Sequence, residues 1–252
     1  MDEKITIAHV SDLHVRGEGY SEELKRSVIE FLNEVMPDVL VITGDITDNG
    51  YYFEYEWAKE VIDQMPARHK LVVPGNHDAR NAGYLIFEEI FGTRHPVLKV
   101  GNIKILGIDS SEPDVDDGHI GRLAYDLVRR EFKHEENTIK VIALHHHLIP
   151  VPGTGRERNI PVDCGDFLRV ICEVGVNIAL CGHKHVPWIW RLNDMLILNA
   201  GTAMTMRVKA RTAPSFNLIE VFSDRRVRIT RVDVRTRKSE VIYEGRLASV
   251  SL

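Results

Sequence analysis

Residues 174–187 read "VGVNIALCGHKHVP". The apolar run from Val176 to Leu180 has the character of an interior strand buried on both faces, and it ends in a glycine followed by His183 and His185. Open α/β sheets bind ligands at the carboxyl ends of their strands. Two imidazoles at such an end are therefore half of a metal site or an ordinary solvated turn, and the neighbouring segments have to separate the two.

Upstream, short apolar runs alternate with helical periods. "ITIAHV" is followed by Leu24, Val28, Phe31, Leu32 and Val35 at helical spacing, then by "DVLVIT" after Pro37. "EYEWAKEVIDQM" predicts a second helix and "HKLVVPG" a third strand. "PVLKV" and "IKILGID", joined at Gly101-Asn102, predict a hairpin. A helix over Arg122–Phe132 leads to "IKVIALHHH", and one over Cys164–Glu173 leads to the opening stretch. After residue 187 come only strands: "WIWRL", "MLILNAG", "SFNLIEVF", "RVRITRV" and "EVIYEG". In "RRVRITRVDVR" the alternation slips near Thr230 and Arg231, which predicts a bulge. This order fits an α/β (α+β) chain with two packed sheets flanked by helices. With no linker or repeat in view, residues 1–252 are expected to form a single domain.

The residues at the predicted strand ends form a series. "SDLH" brings Asp12 and His14, "GDITD" brings Asp45, and "PGNHD" brings Asn76, His77 and Asp78. "HHH" begins at His145, and "CGHKH" brings His183 and His185. Five strand ends with oxygen or imidazole donors, expected along one edge of one sheet, are a joint signal that none of the motifs carries alone. Carboxylate, amide oxygen and imidazole without thiolate suit iron, manganese or zinc, and argue against a structural zinc site. Seven donors exceed one tetrahedral ion and suit two ions sharing a carboxylate, a geometry that favours phosphoryl hydrolysis.

The series D-x-H, G-D, G-N-H-D, H and G-H-x-H, spanning Asp12 to His185, resembles the calcineurin-like metallophosphoesterase superfamily. That resemblance implies a four-layer α/β/β/α sandwich of two mixed β-sheets flanked by helices. It implies that Asp12, His14, Asp45 and His185 hold one metal, and Asp45, Asn76, His145 and His183 a second, with Asp45 bridging. It further implies attack by a metal-bridging hydroxide, assisted by His77, with Asp78 orienting His77. "GNHD", "LHHHLIPVP" and "GHKH" are most similar to the bacterial cyclic-nucleotide phosphodiesterase branch, which implies a small phosphodiester substrate and a homodimer. Cyclic nucleotides, glycerophosphodiesters, other diesters and monoesters stay open, because variable loops bind what lies beyond the phosphoryl group.

Other residues carry weaker expectations. His146 is expected behind the ligands or facing substrate, and His147 in a structural or exposed position. The loop "IPVPGTGRERNIPVD" has the composition of an active-site lid, with Arg156 or Arg158 as a phosphate contact. Asn199, Gly201 and Thr202 are expected at the pocket floor, and Arg207 as a substrate contact. His9 is expected in the core or behind the site; His69, His95, His119 and His134 at the surface; Trp188 and Trp190 in the core. The loop of Glu112, Asp114, Asp116 and Asp117 lacks EF-hand spacing and is expected at the rim of the site.

Bulk properties set limits. The chain has 252 residues, 44% hydrophobic and 27% charged, which is ordinary globular composition. No segment approaches the ~18 apolar residues of a membrane span, and the start "MDEKITIAHV" lacks the features of a secretory signal. With Cys164, Cys172 and Cys181 in no CxxC pair, a cytoplasmic location is expected. The net charge of -5 argues against a nucleic-acid partner, although residues 201–252 carry 11 Lys+Arg against 5 Asp+Glu. A nuclease, a phosphomonoesterase and a metal-retaining scaffold are the alternatives. A scaffold would tolerate erosion of the ligand series, and none is eroded.

Overall fold

Three separate apolar clusters organise the chain in the computed structural model, which describes residues 4–135, 137–155 and 158–248. Among these residues the strands form two six-stranded sheets. The first runs in the order β12 (Ser239–Arg246), β11 (Arg226–Asp233), β10 (Ser215–Phe222), β1 (Lys4–Val10), β2 (Val39–Thr43), β3 (His69–Val73). The second is β4 (Val97–Val100), β5 (Ile103–Gly107), β6 (Ile139–Ala143), β7 (Ile178–Cys181), β9 (Met195–Asn199), β8 (Trp188–Leu192). Both are mixed: β1, β2 and β3 are parallel and so are β5, β6, β7 and β9, with antiparallel strands added outside.

The apolar faces account for the layers. Ile7, Val41 and Val73 of the first sheet pack with Ile105, Val141, Leu180 and Leu198 of the second to form the inter-sheet core. Ala8, Val10, Leu40 and Ile42 face the other way, onto α1 (Glu22–Val35) and α2 (Tyr52–Gln64). Ile142, Ala179 and Ile197 likewise face α4 (Arg122–Phe132) and α5 (Cys164–Glu173). Helix, sheet, sheet and helix thus make the expected sandwich, and the strands covered on both faces are those with predominantly apolar runs.

Local chemistry sets the element ends. In α1 the Ser21 hydroxyl accepts from the Leu24 amide at 3.3 Å, and Leu24, Val28 and Leu32 form the buried stripe. The hairpin pairs Val100 with Ile103, and the register of β11 against β12 slips between Ile229 and Thr230. A helix absent from the sequence reading, α3 (Gly83–Phe91), follows the loop after β3. Its sequence "GYLIFEEIF" has no clean polar face and no capping side chain; burial of Phe87 and packing against α2 hold it.

Two further expectations differ. Trp188 and Trp190 sit on edge strand β8, where Trp188 is 36% exposed and only Trp190 packs against a core. His95 is half-buried, its Nδ1 accepting from the Asp109 amide.

Candidate metal centre

The strand ends converge, but from two sheets. Asp12, His14, Asp45 and Asn76 follow β1, β2 and β3 of the first sheet; His145, His183 and His185 follow β6 and β7 of the second. The expected single edge is instead the seam of the sandwich. Backbone bonds hold the loops together within each sheet: Asp12 N–H to Gly44 O at 3.1 Å and His14 N–H to Asp45 O at 2.9 Å on one side of the seam, and Gly182 N–H to His145 O at 2.8 Å on the other. Asp12, His14, Asp45, His183 and His185 all have φ between 41° and 71°, a left-handed turn that Asp and His tolerate better than branched residues. Such strain concentrates at functional sites. Close approach also fixes a glycine: a Cβ on Gly182 would lie 1.9 Å from Ser11 Oγ and 2.7 Å from Asp12 Oδ2.

The imidazoles are aimed. His145 Nδ1 lies 2.7 Å from the Thr43 carbonyl and His185 Nδ1 lies 2.6 Å from the Arg207 carbonyl. A carbonyl can only accept, so each Nδ1 carries the proton and each Nε2 offers a lone pair inward. His14 does the same through Nδ1, 2.9 Å from the Asp48 carboxylate. Inward, His14 Nε2 faces His185 Nε2 at 3.4 Å, and His145 Nε2 faces Asn76 Oδ1 at 3.1 Å and His183 Nδ1 at 3.2 Å. Acceptor facing acceptor at these distances is satisfied by a cation between them.

Two donor groups result, with ligand atoms within 4.8 Å of one another: Asp12, His14, Asp45 and His185; and Asp45, His145 and His183; a third set within the same distance, His14, Asp48 and His77, gathers on the Nδ1 side of His14. Asn76 Oδ1 joins the second, 3.0 Å from His183 Nδ1. Asp45 belongs to both. Asp12 Oδ1 is buried without a hydrogen-bond partner, an orphan that a metal would satisfy. The oxygen and nitrogen donors, their orientation and this orphan all fit divalent metal ions.

The electrostatics agree. Burial alone would raise Asp45, yet the charges of His145, His77 and His14 hold it well below the usual carboxylate range. Asp12 is likewise lowered, its burial outweighed by His185 and His145. Burial pulls His145 down, but the Asp45 charge and hydrogen bond prevail and carry it up to about 9, so without a metal Nε2 also holds a proton at neutral pH, and ligation would displace it. Burial, then His146 and His145, hold His183 well below the ordinary histidine value. The carboxylates are thus ionised, as metal ligation requires.

A profile of calcineurin-like phosphoesterases matches residues 5–187, the span that holds every one of these donors. The chain belongs to the calcineurin-like phosphoesterase family. It is 26% identical to a 3',5'-cyclic-nucleotide phosphodiesterase of Nostoc sp. over 243 residues, which is 89% of this chain and 91% of that one. It is also 26% identical to a probable glycerophosphodiester phosphodiesterase of Arcobacter nitrofigilis over 215 residues, covering 78% of this chain and 77% of the relative. Among solved structures, a purple acid phosphatase from yellow lupin shares the fold with a TM-score of 0.74 at 11% identity, over 96% of this chain and 53% of that one. The protein is accordingly a hydrolase of phosphoric esters that uses divalent metal ions.

Around the phosphoesterase centre, the remaining site residues depart in part from expectation. His77 lies at the pocket, its Nδ1 2.7 Å from the Asp48 carbonyl, which leaves Nε2 as its free nitrogen. Asp78 does not touch it. The Asp78 carboxylate instead accepts from Gly75 N–H at 2.8 Å, Thr47 N–H at 2.9 Å, Thr47 Oγ1 at 2.8 Å and Ile46 N–H at 3.3 Å, tying the loops after β2 and β3 together. Burial and the Asp45 charge push it up to about 6 against those bonds. His146 is fully buried behind His145, with Nδ1 at Ser110 Oγ and Nε2 at the Asp116 carbonyl, and does not line the pocket. His147 is buried and stacked on His183. Arg207 does line the pocket and donates to Asp48 at 2.9 Å, whereas Arg156 lies outside the described residues. Thr202 Oγ1 donates to the Asp12 carbonyl at 2.7 Å and Asn199 Nδ2 to the Gly182 carbonyl at 3.3 Å, beneath the ligands.

The sequence reading missed Asp48, Arg80, Asn159, Lys184 and Lys209. Asp48 stands inside "GDITD" and Lys184 inside "GHKH", so position in a motif could have marked both. Asp116 comes from the acidic rim loop: it accepts from Asn76 Nδ2 at 3.1 Å and from Arg80 at 2.6 Å.

Proposed function

We propose that the protein is a two-metal phosphodiesterase of small diesters, with 3',5'-cyclic nucleotides as the leading substrates. The observation that carries this is Asp45, whose carboxylate belongs to both donor groups. In this reading Asp12, His14, Asp45 and His185 hold one ion, and Asp45, Asn76, His145 and His183 the other. Manganese, iron or zinc suits the donor set. When bound, two such ions act as Lewis acids toward the phosphoryl oxygens and make water a competent nucleophile at neutral pH.

The chain's own residues do the rest. His77, anchored through Nδ1 on the Asp48 carbonyl, turns Nε2 toward the pocket to pass a proton to the leaving oxygen. Arg207 lies where it can pair with a phosphoryl oxygen, its guanidinium steadied by Asp48. Similarity to the Nostoc enzyme supports a cyclic nucleotide, and similarity to the Arcobacter protein makes a glycerophosphodiester the second candidate. No described helix is long and apolar enough to cross a membrane, and the cysteines are free thiols, which supports action in the cytoplasm.

The test is hydrolysis of bis(p-nitrophenyl) phosphate by metal-stripped protein resupplied with manganese, iron or zinc. Turnover returns with metal, and His77→Ala lowers kcat by roughly 10²–10⁴-fold at unchanged metal content. A metal-loaded protein that cleaves no diester, or a His77→Ala variant at full rate, overturns the assignment.

A further inference from the structure

Asn76 differs from the carboxylate ligands in having two unlike ends. With Oδ1 inward its amide is a metal ligand; with Nδ2 inward it presents protons to the second donor group and repels a cation. Its Oδ1 lies 3.1 Å from His145 Nε2 and 3.0 Å from His183 Nδ1, while Nδ2 lies 3.1 Å from Asp116 Oδ1. An ionised carboxylate can only accept. The contact with Asp116 therefore admits one orientation of the amide, nitrogen outward and oxygen toward the donors.

Asp116 belongs to the loop after β5, and that loop is docked on the loop after β3. Arg80 donates to the same Asp116 Oδ1 at 2.6 Å, and the Asn81 backbone amide donates to Asp114 Oδ1 at 2.9 Å. From beneath, His146 Nε2 lies 3.2 Å from the Asp116 carbonyl. That carbonyl accepts, so Nε2 carries the proton and Nδ1 receives the Ser110 hydroxyl at 2.9 Å. A Cβ on Gly118 would lie 2.8 Å from His146 Cγ, so the loop rests directly on the ring. The Asp116 side chain itself is 58% exposed, where ion pairs add little to fold stability.

We infer that Asp116 is a positioning residue for the second ion: it locks the Asn76 amide with Oδ1 toward His145 and His183, and Arg80 and His146 hold Asp116 in place. This rests on the two-metal reading and adds a residue that is not itself a ligand. Without the Asp116 acceptor, the amide also populates the orientation with Nδ2 inward, which is closed to a cation. The ion then binds only the remaining fraction, and its apparent affinity falls in proportion. Buried His146, which touches neither pocket nor donors by hydrogen bond, serves the site through this loop.

The experiment measures calorimetric binding of manganese to metal-stripped protein. Wild type takes up two ions. Asp116→Ala weakens one binding step about 10–100-fold and leaves the other nearly unchanged, whereas Asp116→Asn, which keeps an acceptor oxygen for Nδ2, retains most of the affinity. The urea midpoint of metal-free Asp116→Ala matches wild type. In an Asn76→Ala background, which has no amide to orient, Asp116→Ala adds no further loss. Wild-type affinity at both steps in Asp116→Ala overturns the positioning role. So does a further loss in the Asn76→Ala background, which would assign the effect to the Asp116 charge. A lowered urea midpoint with both steps weakened alike makes Asp116 a strut of the fold and overturns the role too. Uptake of fewer than two ions by wild type overturns the two-metal reading, and the inference falls with it.

Discussion

The Asp48 carboxylate lies 2.9 Å from Nδ1 of His14, so the ring that aims Nε2 into the first donor group is fixed from behind by a loop one strand away. The same residue holds His77 through its carbonyl and Arg207 through its carboxylate. Asp48→Asn keeps the shape and removes the charge that orients His14. Partners of this kind set metal affinity by about 10–100-fold. Competition with a chelator should show a loss of that order, and unchanged affinity would mean that His14 is oriented by packing alone.

Asp78 is the knot between two loops. Replacing it with Ala leaves the buried Gly75, Ile46 and Thr47 donors without an acceptor, at about 1–3 kcal/mol for each donor left unsatisfied. Asp78→Ala should lower stability in urea by at least ~3 kcal/mol, whereas His77→Ala should not. Equal midpoints for Asp78→Ala and wild type would remove Asp78 from this role.

Gly182→Ala tests the seam. The added methyl must displace Ser11 and Asp12, both buried, and a displacement near 1 Å at a reacting centre costs on the order of 100-fold in rate. Activity and bound metal should fall together. A variant with native metal content and native kcat would show that the seam relaxes freely.

His9 gives a pH signature. It is fully buried, with Nε2 3.0 Å from Thr43 Oγ1 and Nδ1 3.3 Å from the Asn217 amide. Burial holds it down to about 3, against the opposing charge of Asp12. Between about 3 and 6.5 the unfolded chain binds a proton that the folded chain refuses. The stability contribution of neutral His9 is therefore complete above pH ~6.5 and declines by about 1.4 kcal/mol per pH unit as the pH falls. In His9→Gln, unfolding free energy plotted against pH should lose one proton's worth of slope between pH 4 and 6; parallel curves for variant and wild type would refute it.

Most of the architecture was legible because burial leaves a periodic trace. "DVLVIT", "IKVIAL" and "VNIALC" are predominantly apolar, and each supplied a strand that is buried at every position. The slip at Thr230 announced a real register shift. The donors at the strand ends were visible as motifs. Hidden were relationships that exist only after folding: which sheet each strand joins, which carbonyl meets His185, and the approach of Asp116 to Asn76 across 40 residues. Asp78 misled because adjacency to His77 in sequence says nothing of direction; its carboxylate turns toward the loop after β2 instead. Helix α3 escaped because its apolar residues lack a clear period and its first turn lacks a capping side chain.

Strand β1 lies in the middle of its sheet, and residues 4–9 pair on one side with residues 217–222. On a ribosome adding roughly 5–20 residues per second, the first strand waits on the order of 10–40 s for that neighbour. During this interval Asp12 and His14 already exist, while His183 and His185 have yet to emerge. Complete loading of the centre is thus a late event in the life of the nascent chain, and a stalled or truncated product would carry acidic and imidazole side chains that hold no ordered ion pair of metals.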